Sequence, residues 1–270
     1  MGILNATPDS FSDGGAYPGA DDAVAKGLAM IAAGADIVDI GGESTRPGAS
    51  CVDPAREQDR IMPVLAGLRG RGALISVDTR HASTMRAALA AGADLINDVS
   101  ALSHDPAAAG LLASAKCPVV LMHMRGTPET MTGLADYRDV AREVVAELAA
   151  SVDRAVAAGI ARARIVIDPG IGFAKRPEHS LELLRRLPIL ANLGCRVLLG
   201  ASRKGFIGLA AGVPLPAARD PGSLTASLAG LAFPGCILRV HDVPGTVQAL
   251  RVWQAIHGGG TVTSRDGDAG

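Results

Sequence analysis

The chain has 270 residues, with 26 Lys and Arg against 27 Asp and Glu; this balance argues against a polyanion-binding surface and leaves any phosphate binding to a local site. With 48% hydrophobic and only 3% aromatic residues, the interior has to be built from Ala, Val, Ile and Leu, which suits helices packed on a barrel. No apolar stretch reaches the roughly 20 residues of a membrane span unbroken, and Cys51, Cys117, Cys195 and Cys236 form no paired motif behind a secretory leader, so we expect buried, reduced thiols in a cytoplasmic protein.

Eight short apolar runs, each ending on polar, acidic or glycine residues, lie at 2–5, 36–40, 74–78, 95–97, 119–123, 165–168, 197–200 and 237–241. The spacing leaves room for a helix after each run. This alternation predicts an α/β fold, a (β/α)8 TIM barrel in one domain over residues 1–257, with 258–270 as a disordered tail. It also gathers Asn5, Asp78, Asn97, His123, Asp168 and His241 at one rim. Helical periodicity fills the gaps: Ala23, Val24, Leu28, Ile31 and Ala32 form a stripe within 21–33, and Val140, Val144, Val145, Leu148 and Val152 point inward from a helix over 137–158. Gly34, Gly92, Gly159 and Gly194 stand where helices should end. The chain starts almost at its first strand, so no plug for the opposite end is expected.

Loops on the rim face differ in length. Those at 6–19, 41–53 and 126–135 are long and rich in Gly, Pro, Ser and Thr, as substrate-holding loops of a barrel are. The first contains Phe11, an aromatic in a polar stretch, which suggests a lid packing on something planar. In the second, Thr45, Arg46 and Pro47 bring together a hydroxyl, a forked cation suited to phosphate and a stiff residue; pairing of Arg46 with Glu43 is the simpler alternative. At the seventh and eighth strand ends, Ser202, Arg203, Lys204, Arg239 and His241 favour an anion site. Asp78, Asn97 and Asp168 exceed what helix capping requires, although Asp98 and Asp242 fit that role. A carboxylate accepts two parallel hydrogen bonds and so suits a heterocycle with adjacent N–H and NH2 donors; Asn97 can donate and accept at the same edge.

Two long segments, Gly2 through Gly15 and Gly41 through Gly48, followed in order by Asp168-Pro169-Gly170-Ile171-Gly172-Phe173, Gly200-Ala201-Ser202-Arg203-Lys204 and Arg239-Val240-His241-Asp242, resemble the dihydropteroate synthases. The likeness runs from the first residue to about Ile256. It implies condensation of 6-hydroxymethyl-7,8-dihydropterin pyrophosphate with p-aminobenzoate, inhibition by sulfonamides and a homodimer. It further implies that Asn5 helps hold Mg2+ on the pyrophosphate, with Arg239, His241 and Thr45 beside it. Asp78, Asn97, Asp168 and Lys204 would grip the pterin against Met122, while Phe173, Ser202, Pro47 and Phe11 would border the p-aminobenzoate site. Asp78, Lys204, Arg239 and His241 are the expected catalytic groups. The chain departs from the family pattern in a short N-terminus, in Arg125 where Gln is common, and in Ser223-Leu224-Thr225 and Phe233-Pro234-Gly235 around the seventh helix. No residue is inserted beside Phe173, which implies sulfonamide sensitivity. A methyltetrahydrofolate-binding methyltransferase is the second enzymatic reading; Asn5, Arg46, Arg239 and His241 argue against it, since it has no pyrophosphate to hold. A non-catalytic pterin binder, the third, should have lost the mobile loops.

Overall fold

A computed structural model describes residues 1–6, 19–45, 48–49 and 51–258. The predicted alternation is there: parallel strands β1 (Gly2–Asn5), β2 (Ile37–Gly41), β3 (Leu74–Asp78), β4 (Leu95–Asp98), β5 (Val119–Met122), β6 (Ile165–Asp168), β7 (Arg196–Leu199) and β8 (Ile237–Leu238) neighbour one another in chain order. The ring closes through Val240, whose N–H donates to the Met1 carbonyl at 3.0 Å while its own carbonyl accepts from Ile3 at 2.9 Å. The eighth strand is shorter than the run at 237–241 suggests, because only Ile237 and Leu238 keep regular pairing with β7. Arg239 and His241 therefore emerge just beyond it.

Alternation along the strands explains both faces. Outward positions such as Leu4, Val38, Ile40, Val77, Ile96, Leu121, Ile167 and Leu199 are buried against the helices, the near-continuous burial expected of a parallel sheet. Inward positions form a separate aliphatic layer of Ile37, Leu95, Val120, Val166 and Leu198, with Met1 and Ile237 against it. The lower barrel is thus packed with side chains. Two residues further along, the inward layer turns polar at Asp39, Asn97, Asp168 and Arg239, with Met122 and Gly200 between them.

Helices α1 (Ala20–Ala32), α2 (Pro54–Leu68), α3 (Ala82–Ala90), α4 (Ala108–Ala115), α5 (Val140–Ala157), α6 (Pro177–Arg185), α7 (Gly205–Ala211), α8 (Asp220–Leu228) and α9 (Val243–His257) surround the strands. Asp53, Asp139 and Asp242 cap α2, α5 and α9 by accepting backbone N–H bonds, as expected of Asp at an N-cap. Asp98 behaves differently from the expectation: it closes the turn to Leu102 rather than capping a helix, accepting from the N–H groups of Ser100 and Leu102.

Two helical expectations need correction. The α5 stripe holds, but the helix begins at Val140 because Asp139 caps it there; Tyr137 lies outside and donates its hydroxyl to the Ala174 carbonyl at 2.9 Å. On α1 the buried residues are Ala23 and Gly27, while Leu28 is 38% exposed and Ala32 is also exposed. Close packing at Gly27 sets this rotation, since a Cβ there would meet Leu68 Cδ1 at 2.5 Å. Residues 259–270, expected to form the tail, lie outside the described residues.

Candidate active site at the barrel mouth

The polar inward layer opens at the carboxyl ends of the strands. Paired registers bring Asn5 beside Gly41, Gly41 beside Asp78, Asp78 beside Asn97, and Met122 beside Asp168. From just beyond β8 the Arg239 side chain crosses to join them. Its Nε donates to Asp39 Oδ2 at 2.7 Å and its Nη2 to Asp78 Oδ2 at 2.8 Å. Asn97 Nδ2 donates to the same Asp39 oxygen at 3.0 Å. The amide edge that seemed free both to donate and to accept has therefore spent a donor inside the floor.

Asp39 is fully buried and was not singled out from the sequence. It anchors the guanidinium from below. Arg239 keeps 20% of its side chain exposed, and its Nη1 has no protein acceptor among the described residues, which leaves one donor for a ligand. Burial, reinforced by the nearby carboxylates, pushes Asp78 up to about 8 against the pull of Arg239. Asp168 is also raised by burial, with the Gly170 N–H, Lys204 and Arg239 opposing the shift. Such a floor is poised to accept N–H donors, which favour the ionised carboxylates.

Glycines keep the space above this floor open. A Cβ on Gly41 would stand 3.6 Å from Asp78 Cβ, 3.9 Å from Asp78 Oδ2 and 4.0 Å from Asn5 Oδ1. One on Gly200 would lie 3.6 Å from Asp168 Oδ2. We expect Gly41→Val to fold, because the added contacts are ordinary ones at its first carbon and a β-branched residue suits a strand. It should nevertheless raise the KM for a pterin diphosphate about tenfold or more, roughly 1.4 kcal/mol, by filling the gap between Asn5 and Asp78. An unchanged KM with an unchanged melting temperature would show that the gap is not used.

The other predicted residues divide as follows. Ser202 is buried and its Oγ lies 2.9 Å from His241 Nδ1, while the His241 backbone N–H donates to the same oxygen at 3.2 Å. Burial and the cations Arg203, Arg239 and Lys204 push His241 down to about 4. It is a neutral ring at pH 7, and an arriving diphosphate would reverse the electrostatic part of that shift. Lys204 Nζ sits 3.9 Å from the centroid of the Phe173 ring, joining the two predicted subsites by a cation–π contact. Thr45 is partly exposed on the segment after β2. Phe11, Arg46 and Pro47 lie outside the described residues.

Two rim expectations, for Arg203 and His123, are corrected. Arg203 turns away from the mouth to grip Asp220 through two bonds of 2.7 Å. Glu43 accepts from Arg80 Nε at 3.1 Å and Nη2 at 2.9 Å; its pairing with Arg46 falls on a residue outside the described ones. His123 belongs to the barrel wall, since it follows inward-facing Met122 and so faces the helices. Lys175 Nζ donates to His123 Nδ1 at 2.8 Å and to the carbonyls of Gly170 and Phe173, each at 3.0 Å. An ammonium or amine donating to Nδ1 leaves the proton on Nε2, which donates to Glu147 Oε2 at 3.0 Å; Arg125 also pairs with Glu147. This chain ties the Asp168–Phe173 loop to α5. Gly170 completes the tie: at φ 65° it lies so near β5 that a Cβ would be 2.0 Å from the His123 carbonyl, which only glycine tolerates.

Burial, with Lys175 adding to it, pushes His123 down to about 4. Because the unfolded ring binds its proton near pH 6.5, this neutral histidine contributes stability that is complete above pH 6.5 and disappears as pH falls towards 4. His241 acts in the same direction. We expect urea unfolding to lose about 3 kcal/mol for His123 alone between pH 7 and pH 4, and His123→Gln to flatten that dependence. Equal slopes in the two proteins would contradict the assignment.

A barrel whose mouth sets a carboxylate floor against an arginine and a histidine defines a binder of a hydrogen-bonding heterocycle that bears an anionic group. The profile described as "Pterin binding enzyme" matches residues 1–241, and the chain belongs to that family. Within it, the chain is 49% identical over 266 residues to a dihydropteroate synthase of Mycobacterium leprae (strain TN), covering 96% of this chain and 94% of that one. Two solved structures of Xanthomonas albilineans dihydropteroate synthase superpose closely. The one with 4-aminobenzoic acid gives 47% identity and a TM-score of 0.89, and the one with 7,8-dihydropteroate gives 45% and 0.85; each covers 95% of this chain and 92% of its own. A Yersinia pestis dihydropteroate synthase in complex with a sulfonamide drug has a TM-score of 0.89 at 40% identity, with coverage of 96% and 94%.

Proposed function

We propose that the chain condenses 6-hydroxymethyl-7,8-dihydropterin pyrophosphate with p-aminobenzoate, giving 7,8-dihydropteroate and pyrophosphate. The observation that carries this reading is Arg239, which bonds to both Asp39 and Asp78 and so joins the heterocycle floor to the anion corner in one cavity. Near-complete coverage of dihydropteroate synthases supports it.

The pterin N–H groups would donate to Asp78 and Asp168, with Met122 beneath the ring and Lys204 at its edge. Its diphosphate would then extend towards Asn5, Arg239 and His241. As the bond from the exocyclic methylene to the diphosphate oxygen breaks, the electron pair leaves with the oxygen, and Arg239 and His241 stabilise the growing charge through oriented donors. The positive charge left on the pterin is delocalised in its electron-rich ring and stabilised by the two aspartates. A neutral arylamine, bordered by Phe173 and Ser202, attacks the methylene and then releases a proton; no strong base is demanded. Exclusion of water keeps hydroxide or water from taking its place.

The mouth also fits Mg2+. Asn5 is exposed, its Oδ1 faces the gap kept open by Gly41, and Mg2+ accepts hard oxygen donors while relying on few protein ligands and on substrate phosphates. When bound, it would neutralise charge on the leaving pyrophosphate.

We further propose a cytoplasmic homodimer. Support for the dimer comes from Leu209 on α7, Leu215 just beyond it, and Val252 and Ile256 on α9, which are between 54% and 72% exposed. Among the described residues no helix is long and apolar enough to cross a membrane.

The reaction is tested by pyrophosphate release from the pterin substrate with and without p-aminobenzoate and Mg2+. Release matched by dihydropteroate formation supports the assignment, and none from folded protein removes it. Sulfonamides should inhibit competitively against p-aminobenzoate; an inhibition constant far above the KM for p-aminobenzoate would contradict the unaltered Phe173 loop.

A further inference from the structure

Away from the polar floor, three loops of the mouth face bring Cys51, His81 and His104 together. One ligand atom from each lies within 4.8 Å of the others. Cys51 Sγ is 3.9 Å from His81 Nε2, and the two imidazole rings meet edge to face with centroids 5.1 Å apart. We propose that this cluster is a second cation site, taking one borderline-soft divalent ion of the Zn2+ class at Cys51 Sγ, His81 Nε2 and a ring nitrogen of His104.

The buried surroundings of His81 favour this reading over a chance meeting of surface residues. Glu57 is fully buried, and its Oε2 lies 3.0 Å from His81 Nδ1 while accepting from Thr79 Oγ1 at 2.8 Å. The His81 backbone N–H donates to Thr79 Oγ1 at 3.2 Å. The carboxylate therefore fixes the Nδ1–H tautomer and leaves the Nε2 lone pair facing the thiol, the outer-shell arrangement that orients metal-bound histidines. Neither ring nitrogen of His104 has a hydrogen-bond partner among the described residues. The neighbouring Arg80 charge is offset by its bidentate bond to Glu43. That bond also removes Glu43 from a competing Glu43, Glu57, His81 set.

A thiolate with two imidazoles selects Zn2+, Co2+ or copper over Mg2+. Sulfur and nitrogen ligands of a tetrahedral zinc ion stand about 3.5 Å apart, so the Cys51–His81 pair is wider by only a few tenths of an ångström. Cys51 and His104 are exposed, and so an ion reaches them from solvent and finds room for a fourth, non-protein ligand. Of the four thiols expected to be buried, Cys117 is, Cys195 and Cys236 are partly exposed, and Cys51 is exposed. It ends the segment that leaves β2 and carries Thr45. Ion binding would tether that end to the roots of the β3 and β4 loops. The site does not depend on the synthase reading.

Co2+ titration of the full chain in excess Mg2+ tests the proposal. One equivalent should produce the strong visible bands of four-coordinate cobalt together with near-ultraviolet thiolate-to-cobalt absorption, both abolished by Zn2+. Cys51→Ser should remove the thiolate band, His104→Ala should weaken binding about tenfold or more, and Cys195→Ser should change neither. Thermal melts confirm that each variant is folded. Absence of the thiolate band at millimolar Co2+, or a band that survives Cys51→Ser, overturns the site.

Discussion

Asp78→Asn should lower kcat/KM for dihydropteroate formation by roughly 10²–10³-fold, about 2.7–4 kcal/mol of transition-state stabilisation. The substitution keeps the shape of the side chain, so the loss isolates its charge. An amide cannot accept two parallel N–H bonds from the pterin, and it offers no countercharge when the methylene becomes cationic. Its remaining oxygen can still accept from Arg239 Nη2, which now bonds to Asp78 Oδ2 at 2.8 Å. Because the cation forms only as pyrophosphate leaves, kcat should fall more than the affinity for the pterin. Steady-state kinetics with both substrates varied separates these effects. A loss below threefold, or one confined to KM, would mean that Asp78 merely positions the ring.

The second large effect concerns Arg239. Removing it by Arg239→Met leaves Asp39 and Asp78 buried without their cation, which should cost about 3–5 kcal/mol of folding stability as well as nearly all activity. Arg239→Lys keeps a charge but cannot span both carboxylates with a planar fork, and should recover only part of each. Since Arg239→Met alone confounds folding with chemistry, the informative protein is the double variant Asp39→Asn with Arg239→Met. Neutralising the lower carboxylate should return a good part of the lost stability while activity stays absent. Urea denaturation beside pyrophosphate release reads the two separately. If activity returned along with stability, Arg239 would be a structural residue and the anion corner would lack its principal donor.

Much of the barrel was legible because strand and helix periods alternate cleanly, and because inward residues at strand ends have no aliphatic role to fill. Asn5, Asp78, Asn97 and Asp168 follow on that basis, while Met122 follows only from the family resemblance. Asp39 was not singled out, because it sits inside an apolar run and reads as an interruption of β2. Its signal was nevertheless present: a carboxylate two positions before an inward glycine must be buried in the barrel, and a buried charge needs a partner. That partner, Arg239 just beyond β8, lies 200 residues away. The line from Lys175 through His123 and Glu147 to Arg125 was hidden for a related reason. His123 sits at a strand end and looks like a rim group, but the one-residue offset from Met122 turns it to the opposite face. Arg125, unusual against the family pattern, is explained by its ion pairs with Glu143 and Glu147.

A crystal structure with a non-hydrolysable analogue of the pterin pyrophosphate is the most direct test of the joined cavity. It should show the ring donating to Asp78 and Asp168 over Met122, with the diphosphate against Asn5, Arg239 Nη1 and His241 in the same mouth. A diphosphate bound elsewhere, or a ring that leaves both aspartates untouched, would contradict the account.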